Sequence, residues 1–176
     1  MTRRPGRDEA DERYFSYIDQ VPGTLVLPVL ASQLGEMLAF FDGISDEQSL
    51  HRYATNKWTI RQAVQHVNDA ERLFVARAFW FARGFETPLP RFDNDTAARA
   101  AAANNLQWRT IVDDFRAVRG ATLTFFRGLP AEAWDRRGIA GGSSLSVRAL
   151  AYLAAGHALH HNRVLRERYL APRGVR

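Results

Sequence analysis

Residues 146–169 read SVRALAYLAAGHALHHNRVLRERY. At 100° per residue, Val147, Leu150, Leu153, Ala154, Val164 and Leu165 trace one apolar arc of an α-helix. Ser146 is placed to cap its first turn. His157 and His161 fall in the middle of the apolar arc, one helical turn apart, with Cβ atoms about 5–6 Å from each other. His160 lies at the edge of the arc, about 100° from His161, and is the poorer partner for a shared site.

Three further amphipathic segments precede this one. The first is expected near 24–41, with Pro28 tolerated only in its opening turn, where its missing N–H is not needed, and with Asp42-Gly43 as its stop. A connection from Ile44 to Lys57 follows, with a short helix opened by the capping-box pair Ser45 and Gln48. The second long helix is expected near 59–83. Thr59 and Gln62 form another capping box there, and Ile60, Ala63, Val64, Val67, Ala70, Phe74, Ala78 and Phe81 recur at helical spacing up to a stop at Gly84. The Pro-containing run Thr87 to Arg91 reads as a turn region, and Asp93 to Asn105 as loop or irregular helix. The third is expected near 105–127, with Trp108, Ile111, Phe115, Val118, Thr122, Phe125 and Phe126 on one stripe. Residues 1–22 read as an ordered arm, Tyr14, Phe15 and Tyr17 packing over the bundle. Gly141-Gly142-Ser143-Ser144 reads as a turn before the last helix, expected near 146–169. Four long amphipathic segments without an alternating strand pattern predict an all-α protein, a four-helix bundle spanning 1–176 as one domain.

His66 flanks the apolar stripe of the second helix between Ala63 and Ala70, whose small side chains leave an imidazole room to reach inward. Together with His157 and His161 it would offer three nitrogens to one divalent ion, leaving a coordination position open. The bland alternative is that each is a core histidine satisfied by a backbone carbonyl or water. An HxxxH pair without the glutamate of the HExxH motif is a common accident. Against that, an unpaired buried polar group costs about 1–3 kcal/mol, and one shared ion relieves both His157 and His161. Elsewhere, His51 reads as exposed and Asp69 as lying on the polar face. Glu71 reads as a weak candidate for a pocket carboxylate, and Arg148 as a bundle-end salt bridge rather than a contact to an anionic substrate. Ser143 and Ser144 lack His and Asp partners at recognisable spacing, so no serine nucleophile is expected.

The stretch from Ser146 to His161 closely resembles the last-helix signature of the DinB/YfiT-like metalloenzyme superfamily, and Lys57 to His66 resembles its second-helix motif. The arm Tyr14 to Gly23, and Phe115 to Arg119 leading to Leu129–Trp134, are also similar to family members. The resemblance covers nearly the whole chain, and its two histidine motifs are the most specific parts. It implies an up-down-down-up bundle, metal ligands at His66, His157 and His161, one divalent cofactor ion (zinc, nickel or iron) and a homodimer. The activities it implies are those of a metal-dependent hydrolase or a thiol-dependent S-transferase acting on a small molecule, with a low-molecular-weight thiol as co-substrate in the latter case. It names no substrate. The alternative class is a metal-stabilised binding or stress-response module without turnover.

Composition narrows the rest. The chain has 176 residues, 46% of them apolar with 11 Phe and 4 Trp, enough bulk for one core. With no cysteine, disulfides and thiolate ligands are excluded and metal chemistry falls to His, Asp and Glu. The net charge of +5 comes from dispersed arginines. The densest groups (Arg3, Arg4 and Arg7; Arg163, Arg166, Arg168, Arg173 and Arg176) read as solvated ends, so nucleic acid is not an expected partner. No run approaches the ~20 apolar residues of a membrane span, and MTRRPGR leads into a polar stretch rather than a signal core. A cytoplasmic protein is expected.

Overall fold

The computed structural model describes residues 3–170. Arg173 and Arg176, counted above in the basic C-terminal group, lie outside the described residues. The elements are α1 (Glu12–Ile18), α2 (Val26–Asp42), α3 (Ile60–Ala82), α4 (Asn94–Ala100), α5 (Trp108–Arg127), the strands β1 (Arg137–Ala140) and β2 (Ser143–Ser146), and α6 (Val147–Val164), which continues into a π-helical turn at Leu165–Tyr169.

Local chemistry explains most boundaries. Pro28 is the third residue of α2, inside the first turn, where its lack of an N–H costs nothing. Thr59 Oγ1 accepts from Gln62 N (3.1 Å) while Gln62 Oε1 accepts from Thr59 N (3.0 Å), closing the capping box of α3. Beyond the other end of α3, Gly84 takes the left-handed conformation, φ +80°. Ser146 Oγ caps α6 by accepting from Ala149 N at 2.9 Å. Helix α5 begins at Trp108, three residues later than expected at Asn105, with a cap from another part of the chain: Asp46 Oδ1 accepts the Trp108 N–H at 2.9 Å. Buried Arg61 holds this corner together, donating to Ser49 Oγ at 2.6 Å, to the backbone oxygens of Asp46, Asn104 and Leu106, and to the Asp46 carboxylate.

Contacts between the four long helices define their directions. Along α3 and α5, Asn68 meets Ile111 and Asp114, Glu71 meets Arg119, and Phe79 meets Phe125, so these helices run parallel. Phe41 at the end of α2 stacks edge-on against Trp108 and Phe115 near the start of α5, and Leu30 and Gln33 meet Arg119, so that pair is antiparallel. Thr24 pairs with Tyr152, Gln33 with Ala155 and Phe40 with Arg166, so α2 and α6 are parallel. In α3 and α6, His66 faces His161 and Phe74 faces His157, the reverse sense. The order is up-down-down-up, and because α3 and α5 are parallel the chain must cross the length of the bundle between them. Residues 83–107, including α4, make that crossing.

The sequence shows no strand pattern, yet the structure has a small hairpin. Gly141 (φ +59°) and Gly142 (φ +83°) supply the two positive-φ residues of a tight turn joining β1 and β2, with Ala140 opposite Ser143. Strands of four residues carrying Gly138, Ile139, Ser143 and Ser144 are too short and too small to alternate legibly. The crossover is stitched to this hairpin by Leu89 N to Ile139 O (2.9 Å) and Gly141 N to Leu89 O (3.0 Å). The expected arm contains the helix α1, which buries Phe15 and Ile18 against the bundle.

Two buried apolar clusters fill the bundle, one toward the start of α6 and one toward its end. Among the polar groups buried with them is Arg119, 0% exposed, which donates to Glu71 Oε1 (2.8 Å) and Oε2 (2.7 Å), to Gln33 Oε1 (2.6 Å) and to Leu30 O (3.2 Å). Gln33 Nε2 in turn donates to Ala155 O at 3.0 Å, so one network touches all four long helices. Glu71 is therefore an ion-pair partner in the core, not the pocket carboxylate that its place on the apolar arc suggested.

Arg119→Met leaves the Glu71 carboxylate buried without its cation and is expected to cost about 3–5 kcal/mol. Pairing it with Glu71→Met should restore much of that loss in chemical denaturation, and a double variant no more stable than the single one would contradict this account. A Cβ at Gly156 would sit 2.2 Å from Tyr17 O and 2.6 Å from Tyr17 C. Gly156→Ala must push α1 off α6, and a loss of about 1–3 kcal/mol is expected.

Candidate metal centre

His66 projects from α3 and His157 and His161 from α6 toward one point. The Nε2 atoms of His66 and His157 are 3.1 Å apart, those of His157 and His161 are 3.2 Å apart, and ligating atoms of all three rings lie within 4.8 Å of one another. The i, i+4 spacing on α6 stacks two of the rings on one face. Ala63 and Ala70 leave His66 the room to complete the group. Aromatic edges fix the rings in place: Trp58 packs 4.9 Å from His66, and Tyr17 and Phe74 lie 5.4 and 5.8 Å from His157.

Burial sets the charge state. It pushes His66 down to about 4 and His161 down to about 3, the latter also opposed by His66 and His160. His157 is pushed well below its ordinary value by burial first, then by the neighbouring imidazoles. All three rings are thus neutral at neutral pH, the form that offers a lone pair. Mutual hydrogen bonding cannot satisfy them, because the single in-plane position of His157 Nε2 serves one neighbour at a time and it has two. A common cation would satisfy all three. Tetrahedral coordination at metal–nitrogen distances of about 2.0–2.1 Å needs nitrogens roughly 3.3–3.4 Å apart, close to the separations found. Among the described residues no fourth His, Asp or Glu joins the group.

The remaining candidates fall elsewhere. His160 is half-buried, edge-on to Tyr17 at 5.4 Å and outside the converging group. Half-buried His51 lies edge-on to Tyr169 at 6.5 Å, less exposed than expected but still apart from the site. Asp69 accepts from Gln65 at 3.0 Å, and its carboxyl is raised by burial. Arg148 pairs with Glu9 at 2.8 Å and with Asp135, a bundle-end ion pair. Ser143 hydrogen-bonds Arg13 and Asp11.

Sequence reasoning passed over the residues that surround the histidines. A cavity of about 270 Å³ opens on His66 and His157, walled by Tyr17, Phe74 and Leu153 and by three arginines, Arg13, Arg77 and Arg91. A second, of about 300 Å³, reaches His161 from another side between Tyr53, Trp58 and Tyr169. Arg77 carried a usable signal: it lies in register with His66, Ala70 and Phe74 on α3, a charge inside an apolar stripe.

The depressed histidines link stability to pH. Their folded-state values lie below the unfolded value of about 6.5, so the unfolded chain takes up protons first as the solution is acidified. Their contribution is complete above pH ~6.5 and is lost as pH falls toward 4 and then 3, on the order of 3 kcal/mol from His66 alone. Denaturant titrations of metal-free protein should show this slope, and His66→Gln should flatten it. An equal slope in the variant would refute the assignment.

Comparisons with known proteins agree with this architecture. No curated protein matches the sequence. Among solved structures the fold is similar to that of YfiT from Bacillus subtilis, described as a probable metal-dependent hydrolase with an unusual four-helix bundle topology. The TM-score is 0.68 and the identity 18%, over 92% of this chain and 91% of that one. At that identity the likeness shows the fold. A sequence model of the DinB superfamily matches residues 30–165, from α2 through all of α6, including the three converging histidines. The chain belongs to the DinB superfamily.

Proposed function

We propose that this protein is a metal-dependent enzyme acting on a small molecule, with His66, His157 and His161 holding one divalent ion. The observation that carries this reading is the convergence of three neutral imidazoles, two of them on the wall of a cavity, with no fourth His, Asp or Glu among the described residues joining them. Such a set leaves a position for a reactant, whereas a purely structural site is closed by protein ligands. Membership of the DinB superfamily, and the metal-dependent hydrolase description attached to YfiT, support the same reading.

Three imidazoles suit zinc, nickel or iron. Bound there, the ion supplies Lewis acidity, lowering the pKa of a water or thiol and polarising an electrophile. The chain's own residues do the rest. Trp58, Tyr17 and Phe74 pack against the rings, and with the burial of His66 and His157 they lower the local dielectric, which strengthens charge interactions at this point. No side chain is assigned as general base. Hydrolysis needs one organic reactant and fits the cavity at His66 and His157. The separate approach to His161 favours thiol-dependent S-transfer as the second reading, since two reactants could meet from two sides.

Elemental analysis of protein purified without a histidine tag should give one ion per chain. His66→Ala, His157→Ala and His161→Ala should each fall well below that, and His51→Ala should not. Full occupancy in His161→Ala would remove the proposed site. Free metal at about 100-fold over Kd should stabilise wild type by ~2.7 kcal/mol, raising Tm by roughly 2–4 °C per kcal/mol. The three variants should show little shift. Turnover of an electrophile only with a low-molecular-weight thiol marks a transferase, and turnover without one a hydrolase. Background rates in both assays would favour the binding module.

A further inference from the structure

The cavity that opens on His66 and His157 is lined by Arg13, Arg77 and Arg91, and its lining contains no carboxylate. Arg77 is the unusual member. It is 6% exposed, makes no ion pair among the described residues, donates only one long hydrogen bond from Nη2 to Pro90 O (3.3 Å), and has its buried Nε–H without a partner. A buried guanidinium without a counter-charge is costly, and the other buried arginines each have an acidic partner. Arg119 has Glu71, Arg148 has Glu9, and Arg61 has Asp46. Burial also pushes the Arg77 guanidinium below its ordinary value, the direction expected for a cation lacking an anion.

Position gives this a functional sense. Arg77 follows His66 by eleven residues, so it lies on the same face of α3, three turns and about 16 Å of helix rise away. Ala70, Leu73 and Phe74 lie between them on that face, and all line the cavity. We propose that the cavity binds an elongated organic anion. Its carboxylate or phosphate is held by Arg77, with exposed Arg91 adding positive field, while Arg13 is already paired with Asp11 at 3.6 Å. Its apolar stem lies along Phe74 and Leu153, and its reacting end reaches His66 and His157. This rests on the reading of the histidines as the reaction centre but can fail separately from it.

The test uses metal-free full-length protein and three probes with the same aryl group and spacer: 3-phenylpropionate, 2-phenylethylphosphonate and the neutral 3-phenylpropanamide, titrated by NMR. At least one anion should bind about tenfold or more tightly than the amide, and the tighter of the two identifies the headgroup. Arg77→Met, with its fold checked by circular dichroism, should bring anion and amide affinities together. His161→Ala, which breaks the metal group without touching this cavity, should keep the preference. Equal binding of all three probes to wild type overturns the proposal without need of any variant, and so does a preference that survives in folded Arg77→Met.

Discussion

The Arg119 guanidinium fixes how the four long helices stand relative to one another. An apolar interface between helices tolerates sliding, because one leucine contact exchanges for another at small cost. A buried cation that must meet Glu71 on α3 and Gln33 and Leu30 on α2, while Gln33 reaches Ala155 on α6, accepts one stagger only. Such networks contribute little net stability beyond what apolar packing of equal volume would give. In this bundle the gain is register, and the apolar clusters on either side are filled around it.

The histidine group inherits that register. Glu71 follows His66 by five residues and Ala155 precedes His157 by two, so the stagger that satisfies Arg119 also brings His66 level with His157 and His161. Burial then does two things at once. It keeps the three rings neutral and therefore able to donate lone pairs, and it raises the cost of leaving those lone pairs facing one another. A shared cation would relieve the same desolvation that makes the metal-free arrangement unfavourable.

Much of this was legible in the sequence, because local rules govern it. Thr59 with Gln62, Ser45 with Gln48, and Ser146 are caps whose partners lie within four residues, and all three are formed. The meeting of His157 and His161 follows from helical spacing, and that of His66 from its small neighbours. What escaped depends on partners far along the chain. The start of α5 is set by Asp46, and Glu71 is claimed by Arg119, 48 residues away. The hairpin is too short to show a period. Arg77, Arg91 and Tyr17 come together only through the crossover, the hairpin and α1, and no single-helix projection contains them all.

The crossover between α3 and α5 carries a consequence for how this architecture can change over generations. Two parallel helix neighbours make a long connection unavoidable, and the segment from Phe85 to Phe92 spends it at the rim of the cavity, anchored through Leu89 to the hairpin. The histidines and the Arg119 network lie on helices that this segment does not interrupt. Lengthening or rewriting this segment alters the cavity wall, while the histidine group and the register beneath it stay as they are. Topology thus separates a connecting segment that can change in length and sequence from the helices that bring the three histidines together.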